Sequence, residues 1–270
     1  MSTLMLAPTL DYTLAELPSV NLEQLNDAAS LLSRVDRKYV IPVAQLNTIS
    51  ELIPQHACAL EIDGQRRFGY VTTYYDTADL LSYRMSAHGQ RRRFKVRSRR
   101  YESGERWIEV KTRAGRGRTD KDRLLTDGYP AEWVTRTLHR RGLNLDGNQF
   151  LPGLRVRFNR STLLLPDDEQ AARLTIDTDL CWELLGYTWK TSSIAIVETK
   201  TEGPLSSFDV AMFSTGHRPD RISKYATGLA WLRRELGANR WHRTLSRYFL
   251  TEGLTEDSDI TAEQLSAEAA

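Results

Sequence analysis

Residues 91–123 read RRRFKVRSRRYESGERWIEVKTRAGRGRTDKDR, and the fold turns on how this stretch is understood. It carries fourteen Lys or Arg against five Asp or Glu, a net of +9 over thirty-three residues. The charges are not a block. Lys95, Arg97, Arg99 and Tyr101 fall on one parity, with Phe94 and Val96 on the other. A β-strand sends alternate side chains to opposite faces, so the cations would project together and the apolar residues would face a core. Trp107, Glu109, Lys111 and Arg113 repeat the pattern against Ile108 and Val110. Gly104 lies between the two runs, which makes a hairpin the simplest connection. A third run, Arg118 to Leu125, places Lys121 and Arg123 two apart.

Two readings of such a face compete. One is a solvated surface whose charges serve solubility. The other is an anion site. Like charges opposite one another destabilise a sheet, and the alternation is sustained over two or three strands. Polyanionic phosphate is the ligand that compensates this pattern, because guanidinium and ammonium groups both bind phosphate oxygens well.

Outward from this stretch, the chain of 270 residues is 40% hydrophobic and 27% charged, enough for a sizeable core. Its net charge of +2 hides an asymmetry. Residues 1–33 hold four acids and no base, and residues 253–270 hold five acids and no base. Residues 34–252 therefore contain all thirty-seven Lys and Arg against twenty-six acids, a net of +11. The expected organisation is an acidic N-terminal segment with a short helix (1–33), a binding domain (34–252) and an acidic, disordered tail (253–270). Cys58 and Cys181 make neither a disulfide framework nor a metal-ligand spacing, which fits a reducing compartment. The N-terminus lacks a charged n-region, and no run approaches the ~20 apolar residues of a membrane helix. The expectation is a soluble, cytoplasmic protein with no membrane segment.

Asn21 to Leu32 has helical spacing, with Asn21 as N-cap and Gln24 completing a capping box. Arg34 to Ile41 reads as a strand with Asp36 and Lys38 on one face. Pro42 to Ile53 reads as a helix opened by proline. Phe68 to Tyr75 is a strand, residues 79–88 a loop or helical turn bearing Tyr83 and Arg84, and Ala131 to Arg141 a helix stopped by Gly142. Asn144 to Gly153 reads as a linker. Leu154 to Leu165, Arg173 to Asp177 and Ser193 to Lys200 read as strands, with an acidic turn at Pro166 to Glu169. Phe208 to Phe213 and Ile222 to Leu236 read as helices, with Lys224 near the start of the second. Hairpin-length turns between strands argue for an α+β fold with a mainly antiparallel sheet. The sequence shows no glycine-rich phosphate loop, no Ser/His/Asp arrangement and no Cys/His cluster.

Trp107-Ile-Glu109-Val-Lys111-Thr112 is echoed by Ile196-Val-Glu198-Thr-Lys200-Thr201. Each echo sets Glu and Lys two apart in a strand that follows an arginine-bearing strand. A structural ion pair explains one copy. Two copies point to a charged interior, which a β-barrel closed on itself and lined by cations would provide. Glutamates are hard oxygen ligands suited to Mg²⁺ or Mn²⁺ carried in with substrate phosphates.

Nine motifs in order carry a family resemblance: VDRKYVI (35–41), YYDT (74–77), KVRSRRY (95–101), WIEVKT (107–112), KDR (121–123), FNRST (158–162), RLTIDTDL (173–180), IVETK (196–200) and ISKYATG (222–228). Over residues 34–236 the chain resembles the polyphosphate polymerase domain of the vacuolar transporter chaperone (VTC) family, within the triphosphate tunnel metalloenzyme, or CYTH-like, group. The resemblance implies an antiparallel barrel forming a basic tunnel, flanked by helices, that holds ATP or polyphosphate with Mn²⁺ or Mg²⁺. It nominates Lys38, Arg97, Arg99, Lys111, Arg160, Arg173, Lys200 and Lys224 as catalytic phosphate contacts and Glu198 as metal ligand. Arg84, Lys95, Lys121, Arg123 and Arg221 are further substrate-binding candidates. Asp36 stands where the family usually has Glu, and Arg34 where the wider group often has another. Asp177 is open to two roles, metal ligand or partner of a neighbouring arginine.

The function so implied is transfer of the terminal phosphate of ATP to a growing polyphosphate chain. Two alternatives stand beside it: a triphosphatase or polyphosphatase on the same scaffold, and a non-catalytic module for polyphosphate or inositol phosphates. A nucleic-acid binder would set stacking aromatics beside its cations, whereas Phe94 and Ile108 alternate away from the basic face.

Overall fold

The computed structural model describes residues 10–29, 35–113, 119–166, 171–191, 193–203 and 205–249. The acidic tail, Arg34, the acidic turn after Pro166 and the end of the first predicted helix lie outside them. In chain order the elements are α1 (Leu10–Glu16), β1 (Ser19–Val20), α2 (Leu22–Ala28), β2 (Val35–Pro42), α3 (Leu46–Ser50), β3 (Cys58–Leu60), β4 (Phe68–Asp76), α4 (Leu81–Ala87), β5 (Phe94–Tyr101), β6 (Arg106–Arg113) and β7 (Thr119–Leu125). There follow α5 (Ala131–Arg140), β8 (Leu151–Leu165), β9 (Ala172–Leu184), β10 (Tyr187–Thr191), β11 (Ile194–Thr201), α6 (Ser207–Ser214), α7 (Ala226–Leu232) and α8 (His242–Tyr248).

The chain divides into two compact units. The first draws on Met1–Phe68, Asn159–Thr178 and Ser192–Asp220. Its central strand is β11, antiparallel to β2 on one side and to β9 on the other. Period 2 sorts the side chains. Tyr39, Ile41, Leu174, Ile176, Ala195 and Val197 turn to a core completed by Phe208 and Met212 of α6 and Leu46 and Ile49 of α3. The opposite parity carries Asp36, Lys38, Glu198, Lys200, Arg173 and Asp177. Asn21 caps α2 with the predicted box: its side chain accepts from the Gln24 amide at 2.8 Å, and the Gln24 side chain accepts from the Asn21 amide at 3.0 Å.

The second unit draws on Gly69–Phe158, Asp179–Thr191 and Arg221–Ala270. Here β5 pairs antiparallel with β4 and β6, and β6 with β7. The hairpin turns at Gly104, whose φ of +88° a residue with a side chain would adopt only under strain. Phe94, Val96, Ile108 and Val110 are fully buried against Val134 and Leu138 of α5, as the parity requires.

The mixed α+β class with a mostly antiparallel sheet is as the sequence indicates. The hydrogen-bonded order, β2-β11-β9-β8-β4-β5-β6-β7, is an open path with β2 and β7 at its ends. A barrel closed on itself is therefore not shown.

Several elements differ from expectation for local reasons. After Pro42 the backbone forms a 3₁₀ turn, Val43–Gln45, before α3 begins, because the Val43 amide bonds to the Ser193 carbonyl at 2.6 Å. The expected helix from Ile222 to Leu236 is confined to Ala226–Leu232. Ahead of it, the Lys224 carbonyl accepts from Trp182 Nε1 at 2.8 Å, and Ser223 Oγ accepts from the Ala226 amide at 3.2 Å. The supposed linker before β8 contains a 3₁₀ turn, Gly147–Gln149, and the strand starts at Leu151. β9 runs on to Leu184, and β10 and α8 were not expected at all.

Candidate phosphate site

In the second unit, strand register brings cations into rows. Lys95 stands opposite Lys111, and Lys111 opposite Lys121. One row along, Arg97 faces Glu109 and Glu109 faces Arg123. Arg99 faces Trp107 in the next. Three lysines directly opposed across three strands are unfavourable by themselves, so the arrangement favours an anion over this face.

Glu109 occupies the middle of the face and is 2% exposed. Its Oε2 accepts from Arg97 Nε at 2.7 Å and Nη2 at 2.5 Å, and Lys121 Nζ lies 3.4 Å from Oε1. Burial acting by itself would raise the Glu109 carboxyl. The charges of Arg97, Arg99, Lys111 and Lys121 outweigh it and hold the group well below the usual carboxylate range. Lys121 moves the other way. Desolvation lowers its ammonium, and nearby Arg97, Arg123 and Arg99 reinforce this against the pull of Glu109.

Aromatic rings lie among these cations, a feature sequence reasoning missed except at Tyr101 and Trp107. Tyr70 and Phe158 stack with centroids 5.4 Å apart and planes 2° apart. Arg99 lies 5.1 Å from the Tyr70 ring centre and Lys224 Nζ 4.5 Å from that of Phe158. Arg123 covers Trp107 at 4.6 Å. These rings are engaged by the protein's own cations. Period 2 on β4 was the available signal, since Tyr70, Thr72 and Tyr74 stand opposite Tyr101, Arg99 and Arg97.

The segment bearing Lys224 is held from several directions. Lys95 Nζ donates to Ser223 Oγ at 2.8 Å. Tyr225 OH donates to Asp76 Oδ2, whose carboxylate also accepts from the amides of Thr77, Ser82 and Tyr83. Burial, and then Asp76, raise the Tyr225 hydroxyl far above its ordinary value, so it remains a donor. Gly228 fits the Trp182 indole so closely that a Cβ there would sit 2.2 Å from Nε1.

The first unit repeats the scheme with Glu198. This carboxylate is 8% exposed, with Lys38 Nζ 3.6 Å from Oε1 and Lys200 Nζ 3.2 Å from Oε2. Asp36 pairs in register with Lys200 and so lies diagonal to Glu198 on the same face. Asp177, fully buried, accepts from Arg160 Nε at 2.6 Å and Nη2 at 2.8 Å, which is the arginine-partner role of the two open to it. Arg173 stands in register with Lys200, yet its Nη2 donates to the Leu25 and Ala29 carbonyls and to Asn26 Oδ1, closing the C-terminal end of α2.

Within each unit, then, the nominated residues gather on one face: Lys38, Arg160, Arg173, Glu198 and Lys200 in the first, and Lys95, Arg97, Arg99, Lys111, Lys121, Arg123 and Lys224 in the second. Arg84 does not join them; it is exposed on α4 and paired with Asp79. Arg221 is exposed, and its carbonyl accepts from Thr244 Oγ1 at 3.2 Å.

The VTC domain family model matches residues 33–233, about three quarters of the chain. The chain belongs to the VTC domain family. A search of curated proteins returned no match. Solved structures similar to this VTC domain include the PH1819 protein of Pyrococcus horikoshii OT3, at 13% identity and TM-score 0.43, covering 73% of this chain and 98% of that one. HpAC1 from Hippeastrum, described as a candidate adenylyl cyclase with a dominant triphosphatase activity, aligns at 14% identity and TM-score 0.40, covering 72% and 94%. The inorganic triphosphatase NE1496 aligns at 11% identity and TM-score 0.25, covering 67% and 78%. At such scores it is the family model that places the chain.

Metal binding has a limited donor set. Among the described residues no three His, Cys, Asp or Glu side chains group to hold an ion. Glu198, with Asp36 diagonal to it, offers the hard carboxylate oxygens that a divalent cation would need.

Proposed function

We propose that this VTC domain is a polyphosphate polymerase, moving the terminal phosphate of ATP onto a growing phosphate chain within a basic tunnel. One observation carries the reading. Each unit turns a cationic sheet face outward from its core and places one buried glutamate, Glu109 or Glu198, on the middle strand of that face. Phosphoryl transfer asks for positioning and charge neutralisation and needs little covalent chemistry from the protein. Those faces supply both.

Arg97 and Arg99 bind phosphate oxygens through the guanidinium fork, and Glu109 fixes the Arg97 plane from behind. Lys111 on the second unit's face, and Lys38 and Lys200 on the first unit's, meet phosphate oxygens as point charges. Lys224, seated on Phe158, holds the phosphates on the second unit's face. Glu198, with Asp36 diagonal to it, would hold Mn²⁺ or Mg²⁺, which would supply charge neutralisation at the phosphates. Lys38 and Lys200 hold the Glu198 carboxylate from its two oxygens.

The test is purified protein with ATP and Mn²⁺. ADP release with a ladder of phosphate chains on a gel is the expected result. Orthophosphate released in step with ADP, without a ladder, assigns the hydrolase. Neither product assigns a binding module.

A further inference from the structure

The cationic face of the β5–β6 hairpin does not end at the lysine row. Arg93 and Arg113 have the parity of Lys95 and Lys111 and are joined across the hairpin, the Arg113 amide bonding to the Arg93 carbonyl at 3.0 Å. They form one more cationic row on the same face. Arg91 and Arg92 precede it, both exposed, with Arg92 Nη1 lying near Gly142. Arg240 comes in from elsewhere in the chain. The 3₁₀ turn Asn239–Trp241 is anchored on α4 by the Trp241 ring, 5.7 Å from that of Tyr83, and by the Tyr83 OH donating to the Gly237 carbonyl at 3.1 Å. This brings Arg240 Nη1 so close to Gly89 that a Cβ there would stand 2.7 Å away, and Gly89 has a φ of +65°.

Among the described residues these arginines have no acidic partner. The nearby β7 acids Asp120 and Asp122 are engaged by Arg140 and Arg141. Arg93 donates to the Gln90 carbonyl at 3.0 Å, and Arg113 and Arg240 form no ion pair with any described residue. Desolvation, then Arg113 and Arg240, push the Arg93 guanidinium down from its ordinary value, as crowded like charges must. A solvated surface would spread such charges apart. Here a glycine and an aromatic anchor bring them together.

We propose that Arg93, Arg113 and Arg240 form a phosphate subsite beyond the catalytic face, engaged by chains too long to be held at Arg97 and Arg99. This inference rests on the polyphosphate reading. Arg93 precedes β5 and lies four positions from Arg97, about 13 Å along extended chain. A triphosphate held at Arg97 does not reach that far; a polymer does. The row grips the chain away from the reacting end, so that length rather than chemistry is sensed there.

The experiment compares the parent with Arg113→Gln/Arg240→Gln, and with Arg113→Glu as a second, single variant at an exposed position. Each is titrated with tripolyphosphate and with long-chain polyphosphate at one fixed, low salt concentration. Thermal melts confirm folding. The expected result is tripolyphosphate affinity within about twofold of the parent and long-chain affinity about fivefold lower, the size expected for removing one exposed and one half-buried charge that pair with phosphate. Long-chain affinity that stays at the parent value overturns the subsite. A fall shared equally by both ligands also overturns it, because the arginines then act only through the general field. If the parent binds neither ligand, the polyphosphate reading itself falls, and the subsite with it.

Discussion

Tyr70 and Phe158 lie ring on ring, 5.4 Å between centroids and 2° between planes, one under Arg99 and the other under Lys224. The two strands that supply the rings, β4 and β8, are distant in sequence, yet the pair sets where two cations stand. Phe158→Leu preserves an apolar filling and removes the aromatic face. We expect this variant to fold, to lose at most a few °C in Tm, and to show a raised KM for ATP because Lys224 has lost its seat. Steady-state kinetics beside a melt checks this. An unchanged KM shows that Lys224 does not depend on the ring.

Glu198→Gln removes a negative charge and keeps the shape. Lys38 is partly solvated and the Lys200 ammonium is buried, so the variant loses some stability through Lys200 while the fold persists. Metal-dependent turnover falls by about 10²-fold or more, the size usual for losing electrostatic stabilisation at a transferring group. Tripolyphosphate binding, carried by Arg and Lys, is retained. ADP release with Mn²⁺ decides, and a variant as active as the parent removes Glu198 from the metal site.

Glu109 makes the protein acid-sensitive in a definite direction. Its folded carboxyl is held below the ordinary value, so its contribution to stability is fully present above the unfolded value of about 4.3. That contribution is lost as pH falls below this value towards and through the depressed folded one. Glu109→Gln leaves Arg97 buried without its counter-charge, at a cost of about 3–5 kcal/mol. Denaturant melts at pH 7 and pH 3 are expected to show a large gap between parent and variant at pH 7 and a smaller one at pH 3. A gap independent of pH refutes the assignment.

Opposed lysines predict ligand stabilisation. Tripolyphosphate at ~100 times its dissociation constant raises stability by about 2.7 kcal/mol. A thermal melt with and without it is the measurement, and high salt is expected to shrink the shift. No shift at millimolar ligand and low salt contradicts a phosphate-binding face.

What was legible in the sequence was what period 2 controls. Phe94, Val96, Ile108 and Val110 marked one face of the hairpin and Lys95, Arg97, Arg99 and Lys111 the other, because burial and alternation are both local. The Glu-x-Lys echo likewise marked two equivalent middle strands. Tertiary hydrogen bonds were not legible. The helix expected from Ile222 starts only at Ala226, past Lys224, because Trp182 takes a carbonyl that an earlier start would have used. β9 continues past Asp179, where φ is +53°, a conformation that reads as a break in any single-residue scheme. The cationic half of the site showed in the charge pattern. The aromatic half did not, because Tyr70 and Phe158 meet only once distant strands are assembled. Arg173 was nominated from its motif, and nothing in that motif announced that its guanidinium would close α2.

Burial of Lys121 beside Arg97, Arg123 and Arg99 also makes this face a proton acceptor. The Lys121 ammonium is held below its ordinary value. A phosphate chain laid against it restores the charged form, so binding at alkaline pH draws protons from solution. The apparent heat of binding then depends on the ionisation enthalpy of the buffer, and affinity declines as pH rises through the depressed value. Each phosphate chain that arrives brings its counter-charge partly from the solvent.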